Sequence, residues 1–178
     1  MVEIRDARED EFSELGDVRV AAYLADGFLS PQSTYAPRLR ALGTDGLDQV
    51  LVAVNGDQRG APQPEPGRGQ IVGTVMLQGW PQGGEILAGP QEAEIRALAV
   101  APEARGAGVG RALLAAVIER AARAGIRQLV LLTQTEMKAA HYLYDEAGFA
   151  RLPERDWSPE PGVKLLAYGL VLDGERRP

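Results

Sequence analysis

Residues 94–114 read EIRALAVAPEARGAGVGRALL, and the reading of this stretch decides the fold. Ile95, Leu98 and Val100 supply a short apolar strand, and Pro102 ends it because proline brings no backbone donor to a ladder. A glycine-rich turn follows, Arg105-Gly106-Ala107-Gly108-Val109-Gly110. Leu113, Leu114, Val117, Ile118 and Ala121 then recur with helical spacing, so the turn opens into an amphipathic helix. A helix that starts on glycines leaves its first N–H groups without intrahelical partners, with the positive end of the dipole behind them. Such a terminus is an anion site, and phosphate is its usual guest.

Three phosphate loops compete for this stretch. A dinucleotide fingerprint needs G-x-G-x-x-G, but after Gly106 and Gly108 the third position falls on Arg111. A P-loop needs Gly-Lys-Ser/Thr, and no lysine is near. R-x-x-G-x-G directly after a strand that ends Ala-Val-Ala-Pro remains, and this pattern resembles the acyl-coenzyme A loop of the GCN5-related N-acetyltransferase (GNAT) superfamily. The resemblance implies acetyl-coenzyme A as co-substrate. Its pyrophosphate would be held by the backbone of Arg105, Gly106, Ala107, Gly108, Val109 and Gly110, with Arg111 adding charge. Its pantetheine arm would lie along Leu98, Ala99 and Val100, where one strand amide also polarises the thioester carbonyl.

The chain has 178 residues, 45% of them hydrophobic, and a net charge of -6, which fits one globular domain over 1–178. No apolar run approaches the roughly 20 residues that span a bilayer. The first residues carry no secretory pattern, so a cytoplasmic protein with no membrane partner is expected. Zero cysteines exclude disulfides and a thiol nucleophile, and one histidine rules out His-rich metal clusters, so no metal is expected. The acidic balance argues against nucleic acid and favours a cationic acceptor.

Outward from the central stretch, alternation in residues 2–6 predicts a half-buried first strand. Asp6 or Asp10 is placed to cap a helix with an acidic first turn and a stripe of Phe12, Leu15, Val18 and Ala22. A second helix is expected near 37–42, stopped by Gly43. Strands are expected over 47–54 and 70–77, joined by a Pro/Gly-rich insertion over 55–70. After the glycine-loop helix, Gly125 gives a stop, and Leu129 to Leu132 reads as a strand buried on both faces. Thr135 is expected to cap a helix over about 136–147, closed by Gly148. Residues 149–152 and 163–171 read as the last two strands, with a loop between them and a frayed tail over 174–178.

The resulting fold class is α/β: a mixed, mostly antiparallel sheet of about seven strands with helices on both faces. This order is similar to the GNAT order from about residue 2 to 172, and the long insertion is the main departure. In that family a carboxylate base often stands where Glu94 stands here. Glu92, two residues away on the same face, is the alternative, and by alternation Arg96 shares that face too. Free alkylamines have a pKa of about 10.4, so a positioned base matters. Leu143-Tyr144 through Gly148-Phe149 matches the family's Leu-Tyr-x-x-x-Gly-Phe helix end, which makes Tyr144 the candidate acid for the leaving thiolate. His141 reads as a partly exposed helix residue.

Phe28 and Tyr35 lie in the least regular segment and are candidates for the acceptor pocket, against the plainer reading that they pack helix ends. The resemblance implies N-acetyl transfer by direct attack on a small-molecule or peptide amine. A non-catalytic acyl-coenzyme A sensor of the same fold is the alternative. The family often pairs through its last strands, so a homodimer through 163–171 is also considered.

Overall fold

The computed structural model describes residues 2–30, 32–46, 49–56, 69–82 and 86–172. In chain order the elements are β1 (Val2–Asp6), α1 (Phe12–Ala25), α2 (Ala36–Ala41), β2 (Gln49–Asn55), β3 (Gln70–Gly79) and β4 (Glu92–Val100). Then come α3 (Val109–Arg123), β5 (Gln128–Gln134), α4 (Lys138–Glu146), β6 (Ala150–Arg151), β7 (Trp157–Glu160) and β8 (Val163–Val171). The strands are hydrogen-bonded in the order β1-β2-β3-β4-β5-β8-β6, with β7 also on β8. The pair β4–β5 is parallel, whereas β1–β2, β5–β8, β6–β8 and β7–β8 are antiparallel. The fold is the mixed α/β sheet expected.

Contacts divide the chain into two compact units, Met1–Met76 with Ala97–Leu114, and Leu77–Arg96 with Ala115–Pro178. In the first, β1 and β2 pair from Val2↔Asn55 to Asp6↔Leu51, and Leu15 of α1 packs with Val50, Val52, Val54, Ile71 and Met76. A satellite cluster joins Val20, Leu29 and Leu39. Gly73 is where α3 seats on the sheet: a Cβ there would come 2.9 Å from Leu113 Cδ1 and 3.0 Å from the Ala99 carbonyl oxygen.

The acidic run Glu9–Glu11 forms a separate 3-10 turn before α1, so neither Asp6 nor Asp10 caps that helix. Glu11 instead is fully buried, forked by Arg5 at 2.6 and 2.9 Å, and accepts the Arg8 amide at 2.8 Å. The Arg5 fork leads the effects that hold its carboxyl below the usual range. The buried face of α1 includes Leu15 and Ala22 as expected, with Phe12 and Val18 only partly covered. It also contains Arg19, whose guanidinium donates to the Leu42 carbonyl at 2.7 Å.

In the second unit β5 is the centre, parallel to β4 over Glu92↔Gln128 to Ile95↔Leu131 and antiparallel to β8 along its whole length. The expected loop between 153 and 162 contains β7, which makes eight strands rather than seven among the described residues. Proline at 159 suggested a loop, but an outer strand needs donors on one side only. Helix α4 begins on Met137 with no side-chain cap, and Thr135 hydrogen-bonds Glu136 instead. Strand β8 has β5 on one side and β6 with β7 on the other, so these pairings occupy both of its edges. Residues 57–68 of the insertion and the tail 174–178 lie outside the described residues.

Candidate functional site

The first unit carries the glycine loop. Gly106 and Gly108 adopt φ of +76° and +78°, a region that side chains with a Cβ enter at a cost. A Cβ on either would meet nothing within 4 Å, so the space beside both is open. Val109 is buried and starts α3, and the Ala112 amide bonds the Gly108 carbonyl at 3.0 Å to close its first turn. Ala107 is exposed, Gly110 half-buried, and Arg111 exposed on that first turn.

The Arg105 side chain is engaged within the protein. It forks Asp26 at 2.7 and 3.0 Å and donates to the Ala22 carbonyl at 3.1 Å, tying the loop to the end of α1. Only its backbone is left for the expected role.

Strand β4 kinks just before the stretch where the pantetheine arm was expected. Ala97 sits at φ +49°, and the pairing with β5 ends at Ile95↔Leu131. A single left-handed alanine costs about 1–2 kcal/mol and kinks a strand as a bulge does. Beyond it Leu98 and Val100 are half-buried and Ala99 is buried. Among the aromatics, Phe28 packs edge-on against Tyr23 at 6.4 Å, and Tyr35 is 42% exposed at the start of α2. An open cleft of about 590 Å³ at Asp6, Phe12, Gly43, Thr44 and Val50 contains none of these residues.

The second unit separates the two candidate carboxylates. Glu92 is a closed anchor: Arg155 forks it at 2.8 and 2.9 Å, and the Ala88 amide donates at 2.8 Å. Burial alone would raise its carboxyl, but the Arg155 fork and the Ala88 amide outweigh that and hold it below the usual range. Glu94 is also buried, and Arg96 Nε lies 3.8 Å from its Oε1. Arg96 Nη1 donates to Gln78 Oε1 at 2.9 Å. The expected common face of Glu94 and Arg96 is therefore real.

Tyr144 is buried on α4, with ring centres 5.8 Å from Phe149 and 6.1 Å from Tyr168. His141, half-buried, bonds the Gln134 carbonyl at 2.9 Å and stacks 5.7 Å from Tyr168. Sequence reading missed Tyr168. It is held by the Arg151 guanidinium 5.3 Å above its ring, itself forked by Asp156 at 2.8 and 2.9 Å. Burial leads the effects that raise its phenol.

Register places these groups on opposite faces. Glu94 is the cross-strand partner of Val130, which pairs with Gly169, while Tyr168 is the partner of Leu131, which pairs with Ile95. Paired residues share a face, so Glu94 and Arg96 lie on one side and the Tyr168–Tyr144 pair on the other. Among the described residues no group of three His, Cys, Asp or Glu is placed to hold a metal ion. No described helix is long and apolar enough to cross a membrane.

Comparison with known proteins follows the same lines. The chain is 35% identical over 107 residues to a mycothiol acetyltransferase of Cellulomonas flavigena, covering 55% of this chain and 31% of that protein. It is 40% identical over 62 residues to a mycothiol acetyltransferase of Kocuria rhizophila, covering 35% and 20%. The chain thus spans less than a third of the curated relatives it matches. A GCN5-related N-acetyltransferase from Kribbella flavida superposes with a TM-score of 0.68 at 24% identity, over 96% of this chain and 98% of that one. An acetyltransferase from Salmonella typhimurium, solved with its cofactor acetyl-CoA, gives 0.66 at 21% identity over 100% and 98%. The sequence profile of the acetyltransferase (GNAT) family matches residues 38–149, from α2 through the glycine loop to the end of α4, and the chain belongs to that family.

Proposed function

We propose that the chain is an acetyl-coenzyme A-dependent N-acetyltransferase that acts on a primary amine by direct attack. The observation that carries this reading is the pair of left-handed glycines with open space before them at the start of α3, in a chain of this family. When bound, acetyl-coenzyme A supplies the acyl group as a thioester. The loop amides of residues 105–110 hold its pyrophosphate, and the main chain of Leu98, Ala99 and Val100 takes its pantetheine arm.

Glu94 accepts the proton of the incoming ammonium, directly or through a water. The amine nitrogen bonds to the acyl carbon as the carbon–sulfur bond breaks. Tyr144 returns a proton to the departing thiolate, because phenol and thiol pKa values lie only about 1.5 units apart, and the second proton shed by the acylated nitrogen restores the phenol through water. With no cysteine in the chain, a thiol-linked acyl-enzyme is excluded. Phe28 and Tyr35 contribute to the acceptor pocket, and the enzyme works in the cytoplasm.

Free-thiol release from acetyl-coenzyme A across a panel of amines, amino acids and peptides tests this, with Tyr144→Phe in parallel. Acceptor-dependent release that falls roughly 10²-fold in the variant, with coenzyme affinity retained, is expected. Coenzyme binding without release for any acceptor would replace it with the sensor reading.

A further inference from the structure

Among the described residues of the second unit, three partly buried arginine–carboxylate pairs invite comparison. Arg155–Glu92 and Arg151–Asp156 are closed forks, with both bonds of each at 2.8–2.9 Å. Arg96–Glu94 is different: its approach of 3.8 Å is too long for a hydrogen bond. The Arg96 guanidinium is held at the other end by a neutral amide oxygen, Gln78 Oε1. It is also a third exposed, where Glu94 is 7% exposed. Among the described residues these two are its polar partners, so the fork has donors left for a ligand. Glu92, Glu94 and Arg96 alternate along one face of β4, and Arg155 with Ala88 covers the Glu92 end. The face is open at Arg96.

We propose that Arg96 reads a carboxylate on the acceptor, so that the substrate class is a free amino acid rather than a plain amine or a peptide. This rests on the acetyltransferase reading above, with Glu94 as the group that meets the amine. An alkylammonium brought to Glu94 comes within a few ångströms of the Arg96 charge, and like charges at that range repel. A carboxylate a few bonds from the amine turns the repulsion into a charge-assisted fork, the geometry in which guanidinium binds carboxylate best. Arg96 Nε and Glu94 Oε1 lie 3.8 Å apart, close enough for the ammonium and carboxylate of one amino acid to meet both groups. Gln78 orients the guanidinium without neutralising it, so its charge stays available to the ligand.

The test measures kcat/KM for matched acceptors: an amino acid, its carboxamide and its decarboxylated amine. Wild-type protein, Arg96→Gln and Arg96→Lys are compared, each checked for folding by thermal melt and for coenzyme binding. Wild type is expected to favour the acid over the amide by about tenfold or more. That ratio falls to near one in Arg96→Gln and is partly kept in Arg96→Lys, chiefly through KM. A ratio near one in the wild type, or one that persists in Arg96→Gln, overturns the inference. So does turnover of the amines alone, which leaves the acetyltransferase reading standing. Absence of thiol release from every acceptor removes both.

Discussion

Glu92 and Glu94 lie two residues apart on one face of β4, and replacing each by glutamine tests an anchor against a proposed base. Glu92→Gln removes a charge that takes three bonds at 2.8, 2.9 and 2.8 Å. A charge-assisted bond nets about 1.5–3 kcal/mol, the amide retains part of the contact, and the side chain of Arg155 is 25% exposed, so water recovers some of the rest. The expected loss is about 2–3 kcal/mol, which for a chain of this size lowers the melting midpoint by roughly 4–12 °C. Arg155→Gln should cost at least as much, because it strands a buried carboxylate. The double variant should cost less than the sum by about 1–3 kcal/mol.

The pH dependence has a definite sign. The Glu92 carboxyl sits below its ordinary value in the fold, so its contribution is full above about 4.5 and is lost as pH falls through the lower folded value. The wild-type and Glu92→Gln midpoints should therefore converge in acid. Turnover should survive in Glu92→Gln and fall about 10²-fold in Glu94→Gln. Thermal melts from pH 3 to 8 with thiol-release rates check both halves. A Glu92→Gln midpoint within about 1 °C of wild type at pH 7, or a turnover loss larger there than at Glu94, would refute the assignment.

Three further outcomes follow from single contacts. Gly108→Val strains a left-handed position by about 1–3 kcal/mol and fills the open space before α3, so coenzyme affinity by calorimetry should fall at least about tenfold. Gly46→Val, at φ +73° with equal room, should show similar strain and unchanged affinity; equal affinity loss in both would remove the loop's role. The Asp156 carboxyl, forked by Arg151, is pulled down to about 2. Its contribution is complete above about 3.8 and disappears as pH falls through about 2, so Asp156→Asn should be destabilised at neutral pH and equal wild type in strong acid. Phe28→Ala and Tyr35→Ala should raise acceptor KM in folded protein while coenzyme KM holds; unchanged acceptor kinetics would place the pocket elsewhere.

The glycine loop and the helix behind it were legible because their signals are local: a proline, positive-φ glycines and helical apolar spacing all act within one or two turns of chain. The buried run 129–131 and the Gly-Phe register around Tyr144 were legible for the same reason, whereas Leu132, expected to be buried with them, is only partly covered. Ala97 was not, because alanine carries no mark of a left-handed kink inside a strand. Arg19 was equally silent, since a polar side chain in an apolar stripe is read as solvent-facing until its acceptor, 23 residues away, is known.

By itself, then, the sequence determined the family and the order of the elements other than β7, and it marked out candidate residues for acyl transfer. Tertiary structure decided which of those residues are already spoken for. Arg155 closes on Glu92 across 63 residues, Asp26 takes the Arg105 side chain across 79, and Tyr168 on β8 braces Tyr144 on α4. Chain spacing sets which residue types lie near one another along an element. A hydrogen bond or ion pair between elements exists only once pairing and register bring two side chains within about 3 Å, and no local pattern encodes that distance.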